Sequence, residues 1–209
     1  MGRAMTRRGF LAIPAWIAAD RPASPAAVRV PVRIVIDQRA ALRPAQVAYF
    51  WSKLWPQAVA DFAAGGVRLE PTVAEGEVRR SPGSRPVFVG VDRAAVNLVV
   101  SRELPMLWDH GQGSSGISAR YEGYDLCLIA LDFAHPDQVP FFSVNTCVHE
   151  LLHAILLDIY QKHPAGVAGQ MRELRIDWYA TRLWLFHDGA FVREAARRYA
   201  ARLATNLRG

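Results

Sequence analysis

Between Val144 and Ile159 the chain sets His149, Glu150 and His153 into an otherwise apolar run of Val144, Cys147, Val148, Leu151, Leu152, Ile155 and Ile159. That spacing predicts a helix buried over most of its circumference. Polar side chains in such a helix must find partners, because an unsatisfied buried polar group costs about 2–7 kcal/mol. Residues i and i+4 share a helical face, so the imidazoles of His149-Glu150-Leu151-Leu152-His153 converge on one point. Glu150 stands about 100° round the wheel, where it meets a water beside that point rather than the point itself. The HExxH spacing is that of a zinc site with two histidine ligands and a glutamate general base.

A catalytic zinc takes three protein ligands and keeps one position open, so a third ligand is required. The extended metzincin form, HExxHxxGxxH, is absent, because Leu156 replaces its glycine and Ile159 its third histidine. Asp158 lies nine residues after His149, about 180° round a continuous helix, and is expected to point away from the metal. One helix later, Glu173-Leu174-Arg175-Ile176-Asp177 puts two carboxylates on one face at i and i+4. This carboxylate pair is better placed to supply the third ligand, with His163 and Asp158 as competitors.

At these residues, about 141 to 187, the chain resembles the gluzincin branch of the zincins, the thermolysin-like arrangement in which a glutamate ligand follows HExxH by one helix. The resemblance implies that Glu173 is the third zinc ligand and that Asp177 supports a zinc-bound histidine. It implies peptide-bond hydrolysis without a covalent enzyme intermediate, with Glu150 as base. Tyr160, about 20° from the His149 direction on the wheel, is a candidate for oxyanion stabilisation. His187 is a second, standing where thermolysin-like enzymes place a downstream histidine. The resemblance also points to the strand around Leu126 to Leu131 as the cleft rim that pairs with extended substrate, the alternative being a plain core strand. The chain departs from thermolysin in length and in most of its other sequence. Two further readings share the metal chemistry or the cleft: hydrolysis of a non-peptide amide, and a non-catalytic zincin-fold protein that binds a peptide or cell-wall component.

The remainder of the chain predicts an α+β, zincin-like fold, a small mixed sheet followed by the active-site helix and C-terminal helices. Strands are expected over Val30 to Asp37, Val67 to Val73, Pro86 to Val91, Ala95 to Ser101 and Asp125 to Phe133. A helix over 44–64 is interrupted by Pro56 and closed by Gly65-Gly66; others are expected over about 142–161, 168–186 and 189–205. Leu104 to Gly123 reads as a long Gly/Ser-rich connection.

The formal charge of +6 raises the possibility of a nucleic-acid partner, yet Arg3, Arg7 and Arg8 carry three of those charges before any acidic residue occurs. The other basic residues are scattered without aromatic interleaving, which argues against nucleic acid and for a solvated surface. Thr6-Arg7-Arg8-Gly9-Phe10-Leu11 and the apolar run to Ala19 resemble a twin-arginine export signal, too short for a permanent membrane span. Residues 1–27 are therefore expected to be a signal and linker, cleaved on export. Residues 28–209 are expected to form one metallopeptidase domain, periplasmic or secreted, acting on a peptide or protein substrate. Cys127 and Cys147 admit either a disulfide or two buried thiols.

Overall fold

The near-continuous apolar runs Val96–Ser101 and Tyr124–Ala130 have the pattern of interior parallel strands, which bury both faces. The computed structural model describes residues 27–79, 85–104, 115–132, 145–160 and 189–206, with positions 168, 170, 171, 173 and 176. Its order is β1 (Val28–Asp37), α1 (Pro44–Tyr49), a π-helical turn (Phe50–Leu54), α2 (Trp55–Ala64), β2 (Val67–Arg79) and β3 (Val87–Val89). Then come β4 (Val96–Ser101), β5 (Gly116–Tyr121), β6 (Tyr124–Ala130), α3 (Thr146–Ile155), a 3-10 turn (Asp158–Tyr160) and α4 (Gly189–Asn206). The export-signal segment, residues 1–26, lies outside the described residues.

The fold is α+β, with a six-stranded mixed sheet in the order β3-β2-β1-β4-β6-β5. The pairs β1–β2, β1–β4 and β4–β6 are parallel, and the two outer pairs are antiparallel. A parallel pair needs a crossover, and the segment 44–64 supplies it between β1 and β2. Val30, Val32, Ile34, Leu98, Val100 and Ile129 form one apolar sheet face. Phe50, Trp55 and Phe62 pack on it, together with Leu151, Leu152 and Ile155 of α3 and Val192 and Tyr199 of α4. The opposite face gathers Val35, Val99, Leu126 and Leu128 into a smaller cluster. No described helix is long and apolar enough to cross a membrane.

Three sequence expectations change. Pro56 does not end its helix. The helix widens instead, with the Trp55 amide bonded to the Phe50 carbonyl five residues back, and the chain runs on through Pro56 into α2 without leaving the helical region. The Gly/Ser-rich connection contains a strand, β5, joined to β6 by a two-residue hairpin. Glu122 at φ 50° and Gly123 at φ 84° give both central positions the positive φ of a type I′ turn. β6 thereby lies between β4 and β5 and is buried along its length, so it is a core strand with no free edge for substrate. Among the described strands, the outer one beside α3 is β5.

α3 begins later than its periodicity predicts, because Asn145 is extended and caps it, accepting from the Cys147 and Val148 amides. Its Nδ2 also donates to the Leu54 carbonyl at 2.7 Å, tying the helix start to the π turn. Four buried apolar side chains of α3 contribute roughly 1.5–3 kcal/mol each, so packing outweighs the cap. Asn145→Ala is expected to cost about 1–2 kcal/mol without unfolding the chain, measurable as a lower denaturation midpoint at unchanged slope.

Candidate metal centre

α3 buries six apolar residues, Cys147, Val148, Leu151, Leu152, Ala154 and Ile155, with Glu150 and His153 as its buried polar pair and His149 the more open of its two histidines. The helix brings His149 Nε2 and His153 Nε2 to 3.0 Å. Glu173, on a described helical position downstream, places Oε2 at 3.3 Å from each of them. Donor atoms on neighbouring corners of a zinc tetrahedron, at metal–ligand lengths of about 2.0–2.1 Å, stand about 3.3–3.4 Å apart. In the His149, His153 and Glu173 triangle the two edges to Glu173 have that length and the edge between the histidines is shorter, at 3.0 Å, and the donor set suits zinc.

Asp158 is the main departure from the helical wheel. The helix stops at Ile155, and Leu157 takes φ +61°, a left-handed conformation that costs a leucine about 1 kcal/mol or more. The chain turns back there, and Asp158 Oδ2 lies 2.6 Å from His153 Nδ1. A proton shared with Asp158 on Nδ1 leaves Nε2 to face the triangle, which is the tautomer a metal needs. Burial by itself lowers the His153 pKa, but the Asp158 and Glu173 carboxylates outweigh it and push it up to about 9. A metal ion at Nε2 competes with that proton.

Glu150 is positioned by β5. Its Oε2 accepts from the Ser118 hydroxyl at 2.6 Å, and the same hydroxyl lies 2.9 Å from the Glu150 carbonyl. Burial raises the Glu150 pKa, while the neighbouring His149 and His153 and the Ser118 hydroxyl pull it back. Gly116 leaves the space for this carboxylate: a Cβ there would stand 2.4 Å from Oε1 and 2.7 Å from Cγ. Gly116→Ala therefore displaces the Glu150 carboxylate or the strand. A shift of about 1 Å in a catalytic group costs on the order of 10²-fold in rate, so under the function proposed below kcat is expected to fall by that factor with zinc content unchanged.

The other candidates are placed elsewhere. Tyr160 gives its hydroxyl to Asp125 Oδ2, and its ring lies against the guanidinium groups of Arg120 and Arg202. Asp177, His163 and His187 lie outside the described residues. Cys127 and Cys147 are buried thiols, and Cys127 Sγ donates to the Glu150 carbonyl at 3.3 Å. Burial pushes both thiols well above the ordinary cysteine range, so neither is a thiolate near neutral pH.

Sequence reasoning missed Ser118, Gly116 and the bond from Asp158 to His153. The first two had a signal, since Ile117-Ser118-Ala119-Arg120-Tyr121 and the apolar run after Tyr124 flank the dipeptide Glu122-Gly123. Asp158 had none, because a leucine at positive φ leaves no mark in sequence. No family model matches the chain, and comparison with curated proteins and with solved structures likewise returns no match.

Proposed function

We propose that the chain is a zinc-dependent peptidase of the zincin type, with His149, His153 and Glu173 as metal ligands and Glu150 as general base. The observation that carries the reading is the triangle of three donor atoms, 3.0, 3.3 and 3.3 Å on its edges, formed beside a buried glutamate. Zinc held there supplies a Lewis acid that polarises a carbonyl and acidifies a water towards a pKa of about 7. Glu150 takes the proton of the attacking water and returns it to the leaving amine. Its desolvated carboxylate is a stronger base than one in water, and Ser118 holds Oε2 so that Oε1 is left for the proton. Asp158 keeps His153 in the ligating tautomer.

The edge of β5 that faces away from β6 is where an extended peptide would pair, bringing its backbone alongside Glu150. An exported location, through the Arg7-Arg8 segment, belongs to the same proposal. The test is zinc content with hydrolysis of unstructured peptides and of cell-wall amides. About one zinc per chain and chelator-sensitive peptide cleavage, restored by added zinc, are expected. Cleavage confined to cell-wall amides moves the substrate class, and binding without cleavage makes the protein a non-catalytic receptor.

A further inference from the structure

Asp125, at the start of β6, is a buried carboxylate that the proposed reaction does not use. Its Oδ2 accepts from the hydroxyls of Tyr160 and of Tyr199, the latter at 3.0 Å. Its Oδ1 receives no hydrogen bond among the described residues and faces Arg120 Nη1 at 3.7 Å. Burying a carboxylate costs several kcal/mol unless its partners are well placed, so its position calls for a reason.

The two tyrosines belong to different elements. Tyr199 sits within α4, whereas Tyr160 is the last residue of the three-residue turn that begins with Asp158. Both ends of that turn are consequently held by polar contacts, Asp158 on His153 and Tyr160 on Asp125. The Tyr160 ring is further gripped by Arg202, 3.6 Å from its centroid, and by Arg120 at 4.7 Å. Burial and the Asp125 carboxylate push the Tyr160 hydroxyl up to about 12, so it remains a donor at neutral pH. A turn this short, entered through the strained Leu157, cannot shift at one end without shifting at the other.

We propose that Asp125 and Tyr160 are positioning residues of the metal centre, a buried clamp that holds the Asp158 turn and through it the orientation of His153. This inference rests on the zinc reading of His149, His153 and Glu173. Tyr199 donates to the same carboxylate oxygen from α4, outside the turn, and so provides the control.

The test measures zinc affinity of the full chain by competition with a chromophoric chelator, alongside denaturant unfolding. Tyr160→Phe is expected to weaken zinc binding by about 10-fold, the effect typical of groups that orient a ligand, with Tyr199→Phe within about twofold of the parent. Cobalt(II) provides a second readout, with visible bands altered in Tyr160→Phe and unaltered in Tyr199→Phe. Equal losses in the two variants, or parental affinity in Tyr160→Phe, would overturn the clamp. A His149→Ala arm separates the two levels. If the parent binds zinc no more tightly than His149→Ala, the metal centre itself is overturned and the clamp with it. If His149→Ala loses zinc while Tyr160→Phe keeps parental affinity, the clamp alone fails.

Discussion

Glu150→Gln is expected to retain zinc and to lose hydrolysis by about 10²–10⁴-fold, the usual contribution of a positioned general base. The amide has the shape of the carboxylate and still offers an oxygen to the Ser118 hydroxyl, so the packing under β5 is preserved. What disappears is the capacity to take a proton. A second consequence separates this substitution from simple damage. Burial raises the Glu150 pKa in the folded chain, so the folded state binds more protons than the unfolded one between the ordinary and the raised value. Stability contributed by this group is accordingly lost as pH rises through that window, and the charged carboxylate is a burden at neutral pH. The glutamine variant of the metal-free chain should be at least as stable as the parent at pH 7, and urea denaturation checks it. Reduced stability together with reduced activity would mean that Glu150 is a packing residue.

His153→Ala is expected to remove zinc binding beyond about 100-fold, more than loss of any group that merely orients a ligand. It also removes the 2.6 Å partner of Asp158, a largely buried carboxylate, at a cost of about 1–3 kcal/mol in the metal-free chain. Chelator competition and denaturation on the same samples report both losses. Asp158→Asn isolates the second contribution, since it keeps an acceptor oxygen near Nδ1 while removing the charge. Its zinc affinity is expected to fall by about 10-fold and its peptidase activity to follow the metal.

The two histidines and Glu150 were legible because helical periodicity is local. Four residues bring side chains to one face whatever the rest of the chain does, and the buried setting of α3 could be read from Val148, Leu151, Leu152 and Ile155. The strands β1, β4 and β6 were legible for a similar reason, since β-branched and apolar runs of that length bury themselves in a sheet. β5 was obscured by the Gly and Ser residues leading into it, although Gly116 and Ser118 are what admit and hold Glu150.

Which groups stand behind His149 and His153 was decided by the tertiary fold. The wheel turned Asp158 away because it assumed the helix ran on to Tyr160, whereas Leu157 breaks it two residues beyond Ile155. Tyr160, aligned with His149 on that same wheel, goes instead to Asp125, thirty-five residues earlier in the chain. The approach of Glu173 to both histidines is likewise a contact across chain segments, outside the reach of any periodicity. Sequence by itself determined the pairing of His149 with His153, the place of Glu150 beside them and the apolar surfaces that bury them, because each depends on spacing within one element. The third donor, the tautomer of His153 and the setting of Glu150 were decided by tertiary structure, because each depends on where a helix ends and which strand then lies against it.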